Sequence, residues 1–167
     1  MTVVKKEWTR PASSGEGAIF SRSWEGPAGE SARAVVVIAH GMAEHSARYD
    51  KFGTFLAEHG FAVYMNDHAG HGRSAQIQGH FADRNGWEHV VEDLNALMDQ
   101  AQQAHPGLPL FLMGHSMGSF LSRSFLIRHG ERLAGCILCG TMGKNPGVGV
   151  GKALSALQCR VLGPRSR

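Results

Sequence analysis

Ser116 stands at the centre of Gly114-His-Ser-Met-Gly118, a G-x-S-x-G arrangement. A serine hydroxyl becomes a useful nucleophile when it is lifted clear of the backbone, placed beside a base and faced by donors for the negative charge that develops. The pentapeptide suits the first and last of these needs. Before it, Leu110 to Met113 reads as a short buried strand. After it, Met117, Phe120, Leu121 and Phe125 mark the inner side of a helix running to about His129. A sharp strand-to-helix turn would raise Oγ above a sheet, and the flanking glycines remove Cβ atoms that would clash in such a bend. A serine that only capped a helix would leave the paired glycines unexplained. The helix dipole and the Met117 N–H would then face the oxyanion. A second donor is expected from His40-Gly41-Met42, with Met42 N–H the natural choice, although without Ser116 these residues would read as a plain turn.

These groups need elements to hold them. Ala34 to Ala39, Phe61 to Met65, Leu110 to Met113 and Cys136 to Cys139 are unbroken apolar runs, the pattern of strands covered on both faces of a parallel sheet. Tyr49, Phe52, Phe55 and Leu56 follow helical spacing up to Gly60. Val90, Val91, Leu94, Leu97, Met98 and Ala101 mark a second helical face after Asn85-Gly-Trp-Glu88, which reads as a capping box. Residues 66–86 read as a long loop, residues 2–8 and 17–24 as an opening hairpin, and Pro27 to Ser31 as a turn. Alternating strands and helices predict a doubly wound α/β sheet. Beyond Thr141, Gly143 to Gly151 is loop-like. Val150, Leu154, Leu157 and Val161 then form one stripe of a short helix.

Three segments together resemble one known family. His40-Gly-Met-Ala-Glu-His-Ser-Ala-Arg-Tyr49 is similar to the oxyanion segment of monoacylglycerol lipases and lysophospholipases of the serine aminopeptidase S33 type. Asp67-His-Ala-Gly-His-Gly-Arg-Ser74 is similar to their Gly/His loop, and Gly114-His-Ser-Met-Gly118 to their nucleophile elbow. The resemblance implies an α/β-hydrolase fold, mostly parallel with helices on both faces. It divides the chain into residues 1–142, the N-terminal part of the core, and 143–167, the start of a lid. It also implies an acyl-enzyme on Ser116, a monoacylglycerol-like or other small acyl-ester substrate, and no cofactor or metal. His40, Gly41, Glu44, His45, Arg48 and His115 would line the site, with Glu44, His45 and Arg48 ordering its loop, while His71 and Ser74 would shape the Gly/His loop.

A triad also needs an acid and then a histidine after the serine in this fold. Downstream of Ser116 the only acid is Glu131 and the only histidine His129, in reversed order. His129 lies 13 positions along the same helix, roughly 20 Å away. The simplest expectation is a sheet truncated before its last strands. That would leave an apolar edge near residue 137, open to a complementing C-terminal polypeptide or to self-association. The rival readings are a non-catalytic binding protein of the same fold and an inactive fragment.

Composition excludes other classes. A net charge of +3 without Lys/Arg clusters interleaved with aromatics gives no footprint for nucleic acid. The sequence has neither a signal-like apolar start nor a membrane-spanning run, so a cytoplasmic protein is expected. Peripheral membrane contact through residues 150–162 is a further reading; a lid helix packed on the core is the plainer one. Cys136 and Cys139 have C-x-x-C spacing but sit in an apolar run, which predicts two small core residues and not a redox pair.

Overall fold

The computed structural model describes residues 2–27, 31–143, 146–163 and 165. Strands β1 (Val4–Pro11) and β2 (Ala18–Glu25) form the expected opening hairpin, with Val4 opposite Glu25 and Pro11 opposite Ala18. β3 (Ala34–Ala39), β4 (Phe61–Asn66), β5 (Leu110–His115) and β6 (Gly135–Cys139) follow. All six belong to one sheet in the order β1-β2-β4-β3-β5-β6. β2 is antiparallel to β4, while β3, β4, β5 and β6 run parallel.

Helices α1 (Asp50–Glu58), α2 (Gly86–Ala104) and α3 (Met117–His129) are the crossovers. α2 and α3 cover one face, burying Leu94, Leu97, Leu121 and Phe125 against Val35, Val37 and Leu112. α1 covers part of the other face, where Trp24, Val36, Ile38, Val63 and Met65 cluster. The side of α1 that meets the sheet is Gly53 and Ala57, while Phe52 and Phe55 point outward. The reason is Trp24: a Cβ on Gly53 would lie 2.6 Å from its indole, so the helix seats on that ring through its smallest residue. Trp24 Nε1 donates to Asp50 Oδ1 at 2.8 Å, fixing the start of the same helix.

Several expectations need correction. Asn85 precedes α2 in a left-handed conformation with no side-chain cap bond, so the capping box does not form. Asn tolerates that backbone without the cap. β6 is not a buried strand, and Cys136 and Cys139 are not core residues. Cys136 is half-buried, with burial pushing its thiol up, and Cys139 is exposed. β6 pairs with β5 alone, and Ile137 is 53% exposed because no described element covers it.

Residues 148–151 open a helix, α4 (Val148–Leu162), where a loop was expected. The stripe Val150, Leu154, Leu157 and Val161 is present, yet none of α4 is buried, so it does not pack on the core. The loop 66–86 contains a short 3₁₀ turn at Gly72–Ser74. Of the expected turn at Pro27 to Ser31, residues 28–30 lie outside the described residues, as do 144–145 of the segment after Thr141.

Candidate active site

β5 runs straight into the turn at Ser116. Ser116 has φ 51° and ψ −118°, a backbone region that costs a residue with a Cβ about 1–3 kcal/mol. Three hydrogen bonds hold it there. Ser116 N–H donates to Cys139 C=O at 2.9 Å, and Ser116 C=O accepts from Ser119 N–H at 2.9 Å and Ser119 Oγ at 2.6 Å. The two glycines are sterically required. A Cβ on Gly114 would lie 2.3 Å from Gly118 O, and a Cβ on Gly118 would lie 2.0 Å from Ala39 O. α3 therefore enters against the end of β3, bringing Ser116 beside the His40–Met42 turn. A Cβ on Gly41 would lie 3.2 Å from Ser116 Cβ.

Gly41 is gripped through both of its flanking peptides. Its N–H donates to Glu44 Oε2 at 3.0 Å, and its C=O accepts from His40 Nδ1 at 2.8 Å. His40 Nε2 in turn accepts from His68 N–H at 3.0 Å, which assigns the neutral Nδ1–H tautomer. Burial pushes His40 down to about 4, with His71 acting in the same direction. Both nitrogens of His40 are thus occupied, and it is no base for Ser116. His68 is fully buried beside it, ring centroids 4.0 Å apart, and burial holds it well below the usual histidine range.

Met42 follows with an exposed side chain, and Ala43 adopts φ 57°. Among the described residues neither Met42 N–H nor Met117 N–H donates a hydrogen bond within the protein. Both are free to serve an incoming oxygen.

Glu44 Oε2 also accepts from Tyr49 OH at 2.9 Å and His115 Nδ1 at 3.1 Å. Burial pushes this carboxyl up, but the bonds from Gly41, Tyr49 and His115 outweigh it and hold it below its ordinary value. Tyr49 is pushed up by its burial and by the carboxylate. Strand alternation puts His115 on the face of Met113, opposite Gly114, which is why it meets Tyr49 and Glu44. Arg48 is exposed, its Nε 3.7 Å from Glu44 Oε1. These groups line a cavity of about 390 Å³ with Phe52 and Met113. His45 precedes the 3₁₀ turn at Ser46–Tyr49, and its C=O accepts from Arg48 N–H at 3.1 Å.

Two contributors escaped the sequence reading. Tyr49 reads as a helix-face residue, whereas its hydroxyl joins the Glu44 network. Asp67 anchors two loops at once, accepting from Ser46 N–H at 2.6 Å and Arg73 N–H at 2.8 Å. Ser74 Oγ accepts from Phe20 N–H and donates to Asp67 C=O, and His71 is buried against His40. The order Glu44-x-x-x-x-Tyr49 was visible; that both side chains converge on His115 was not.

Among the described residues, no side chain hydrogen-bonds Ser116 Oγ. His129 lies at the far end of α3, with Nε2 3.6 Å from Glu92 Oε1. Among the described residues one group has metal-ligand spacing, Glu16, His80 and Asp83, with ligand atoms within 4.8 Å of one another. Arg165 already pairs with both carboxylates there. No described helix is long and apolar enough to cross a membrane.

Residues 30–164 match the family described as "Serine aminopeptidase, S33". The chain is 38% identical over 108 residues to a monoacylglycerol lipase of Mycolicibacterium smegmatis, covering 65% of this chain and 38% of that protein. It is 33% identical over 120 residues to human monoglyceride lipase, covering 72% of this chain and again 38% of the relative. A carboxyl esterase from Bacillus coagulans, solved in complex with glycerol, superposes with a TM-score of 0.86 at 31% identity, over 95% of this chain and 51% of that one. The architecture is thus the α/β-hydrolase fold, and the matched segment spans under two fifths of those two curated lipases.

Proposed function

The chain belongs to the serine aminopeptidase S33 family, and from that premise we propose that Ser116 is the nucleophile of a carboxylic ester hydrolase of the monoacylglycerol lipase or lysophospholipase type. The observation that carries this is the strained turn of Ser116 against Gly41, with two unspent N–H donors, Met42 and Met117, beside it. Oγ attacks the ester carbonyl, and its proton passes to a base. The Met42 and Met117 N–H groups take the oxyanion charge. The alcohol leaves with a proton, and water then releases the acid from the acyl-enzyme.

The base and its orienting acid come from outside the described residues. The open edge of β6 is where a complementing C-terminal polypeptide adds to the sheet, and without it the chain self-associates through Ile137 and Leu138. Residues 1–142 are then the first part of the core and 143–167 the start of the lid. The apolar stripe of α4 gives that lid a surface for a lipid substrate or a membrane interface, as expected of a cytoplasmic enzyme with peripheral membrane contact.

The competing reading, a non-catalytic α/β-hydrolase-fold binding protein, is favoured by the unpartnered Ser116 Oγ. A fluorophosphonate probe separates the two. A form completed with the C-terminal half is expected to label at Ser116 and to lose labelling in Ser116→Ala, and absence of labelling would overturn the esterase reading. Size-exclusion chromatography of the 167-residue chain is expected to show association; a cooperative monomer would count against the open-edge assignment.

A further inference from the structure

Glu44 faces the site without reaching the nucleophile. One oxygen, Oε2, accepts from three elements: Gly41 N–H of the turn after β3, Tyr49 OH before α1, and His115 Nδ1 at the end of β5. A carboxylate this near an oxyanion site is electrostatically unfavourable unless its charge is held by donors, and three donors on one oxygen do that. Gly41 C=O and Met42 N–H share one planar peptide, held at its oxygen by His40 Nδ1, and Glu44 holds the preceding peptide through Gly41 N–H. The two bonds together fix Gly41 on both sides and with it the direction of Met42 N–H. The next residue, Ala43, sits at φ 57°, a conformation that persists only where its surroundings impose it.

We infer that Glu44 is a positioning residue: its carboxylate grips Gly41 N–H and, together with His40 on Gly41 C=O, aims Met42 N–H at the oxygen of a substrate bound to Ser116, while Tyr49 and His115 keep it ionised. This rests on the esterase reading above. The grip is strongest with the charged acceptor, so it weakens when Glu44 takes up a proton. The titratable and charged groups around it are His115 on β5, Tyr49, Arg48 at 3.7 Å, His40 behind Gly41, and Cys139 of β6 beside Tyr49. Removing the Tyr49 hydroxyl removes a bond to the charged form, so protonation moves to higher pH.

Two measurements on the 167-residue chain test this. The first follows the Gly41 amide by ¹H–¹⁵N NMR as a function of pH. The amide shift is expected to titrate with Glu44 below the usual carboxyl midpoint. Tyr49→Phe should raise that midpoint. Glu44→Gln should abolish it, while any titration of His40 persists. An unchanged midpoint in Tyr49→Phe, or a Gly41 shift indifferent to Glu44→Gln, would overturn the grip. The second measures Ser116 labelling by an alkyl fluorophosphonate with imidazole as external base. Glu44→Ala should slow labelling by roughly tenfold or more, and Glu44→Gln by less. Wild-type labelling rates in Glu44→Ala would overturn the positioning role. Labelling that persists in Ser116→Ala would instead overturn the esterase reading, and the Gly41 titration would still decide whether the grip exists.

Discussion

β4 (Phe61–Asn66) and β6 (Gly135–Cys139) are both short apolar strands of the parallel part of the sheet. Five of the six residues of β4 are buried, and none of the five of β6 is. β4 has strands on both sides and helices over both faces. β6 has one strand neighbour and α3 on one face, and α4 beyond it buries nothing. An apolar run therefore states what a strand tolerates and leaves open whether anything arrives to cover it. The Ser116 turn lies on the seam between these regions, because Ser116 N–H is held by the C=O of Cys139, the last residue of β6.

The sharpest way to break the closed region is Gly118→Ala. Its Cβ would meet backbone oxygens of Ala39 and His40, which cannot move aside as a flexible side chain would. A loss of at least about 3 kcal/mol is expected in urea unfolding; a near-neutral result would mean that α3 does not seat against β3 as described. Next comes Leu97→Ala, a fully buried α2 residue, expected to cost about 3 kcal/mol.

Acid is the third lever. The folded state holds His40 neutral down to about 4, while the unfolded chain protonates near 6.5. Above pH 6.5 this group costs nothing. As pH falls below 6.5 the unfolded state gains protons that the folded state refuses, so stability declines until about pH 4. His40 alone should remove about 2 kcal/mol by pH 5, and His68 acts in the same direction. Urea midpoints at pH 7.5 and pH 5 measure it; equal midpoints would show that the histidine cluster is not closed. The smallest effect belongs to the open region. Leu157→Ala on α4 should change stability by less than about 0.5 kcal/mol. A larger loss would show that α4 is packed, and would bring the two regions closer in kind.

Much of this was legible in the sequence, for identifiable reasons. α2 was readable because its six marked apolar residues are all buried on one face. The helix after Ser116 followed from the same kind of spacing, and the hairpin expected over residues 2–8 and 17–24 is present as β1 and β2. The elbow was readable because only a close backbone approach explains glycine at both 114 and 118. Phe52 and Phe55 keep helical spacing yet point outward, because spacing cannot show that Trp24 already fills the space beneath α1. Cys136 and Cys139 misled because burial depends on a neighbour outside the strand's own residues.

By itself the sequence determined the order of elements, the helices on both faces and the serine at a strand-to-helix turn, since each is encoded in residue type at short range. Tertiary structure alone decided that Glu44, Tyr49 and His115, spread over residues 44–115, meet at one oxygen. It also decided that His40 is committed to Gly41 and His68 and so is not a base. Such convergences depend on how β3 and β5 lie side by side, a long-range pairing that no local pattern records.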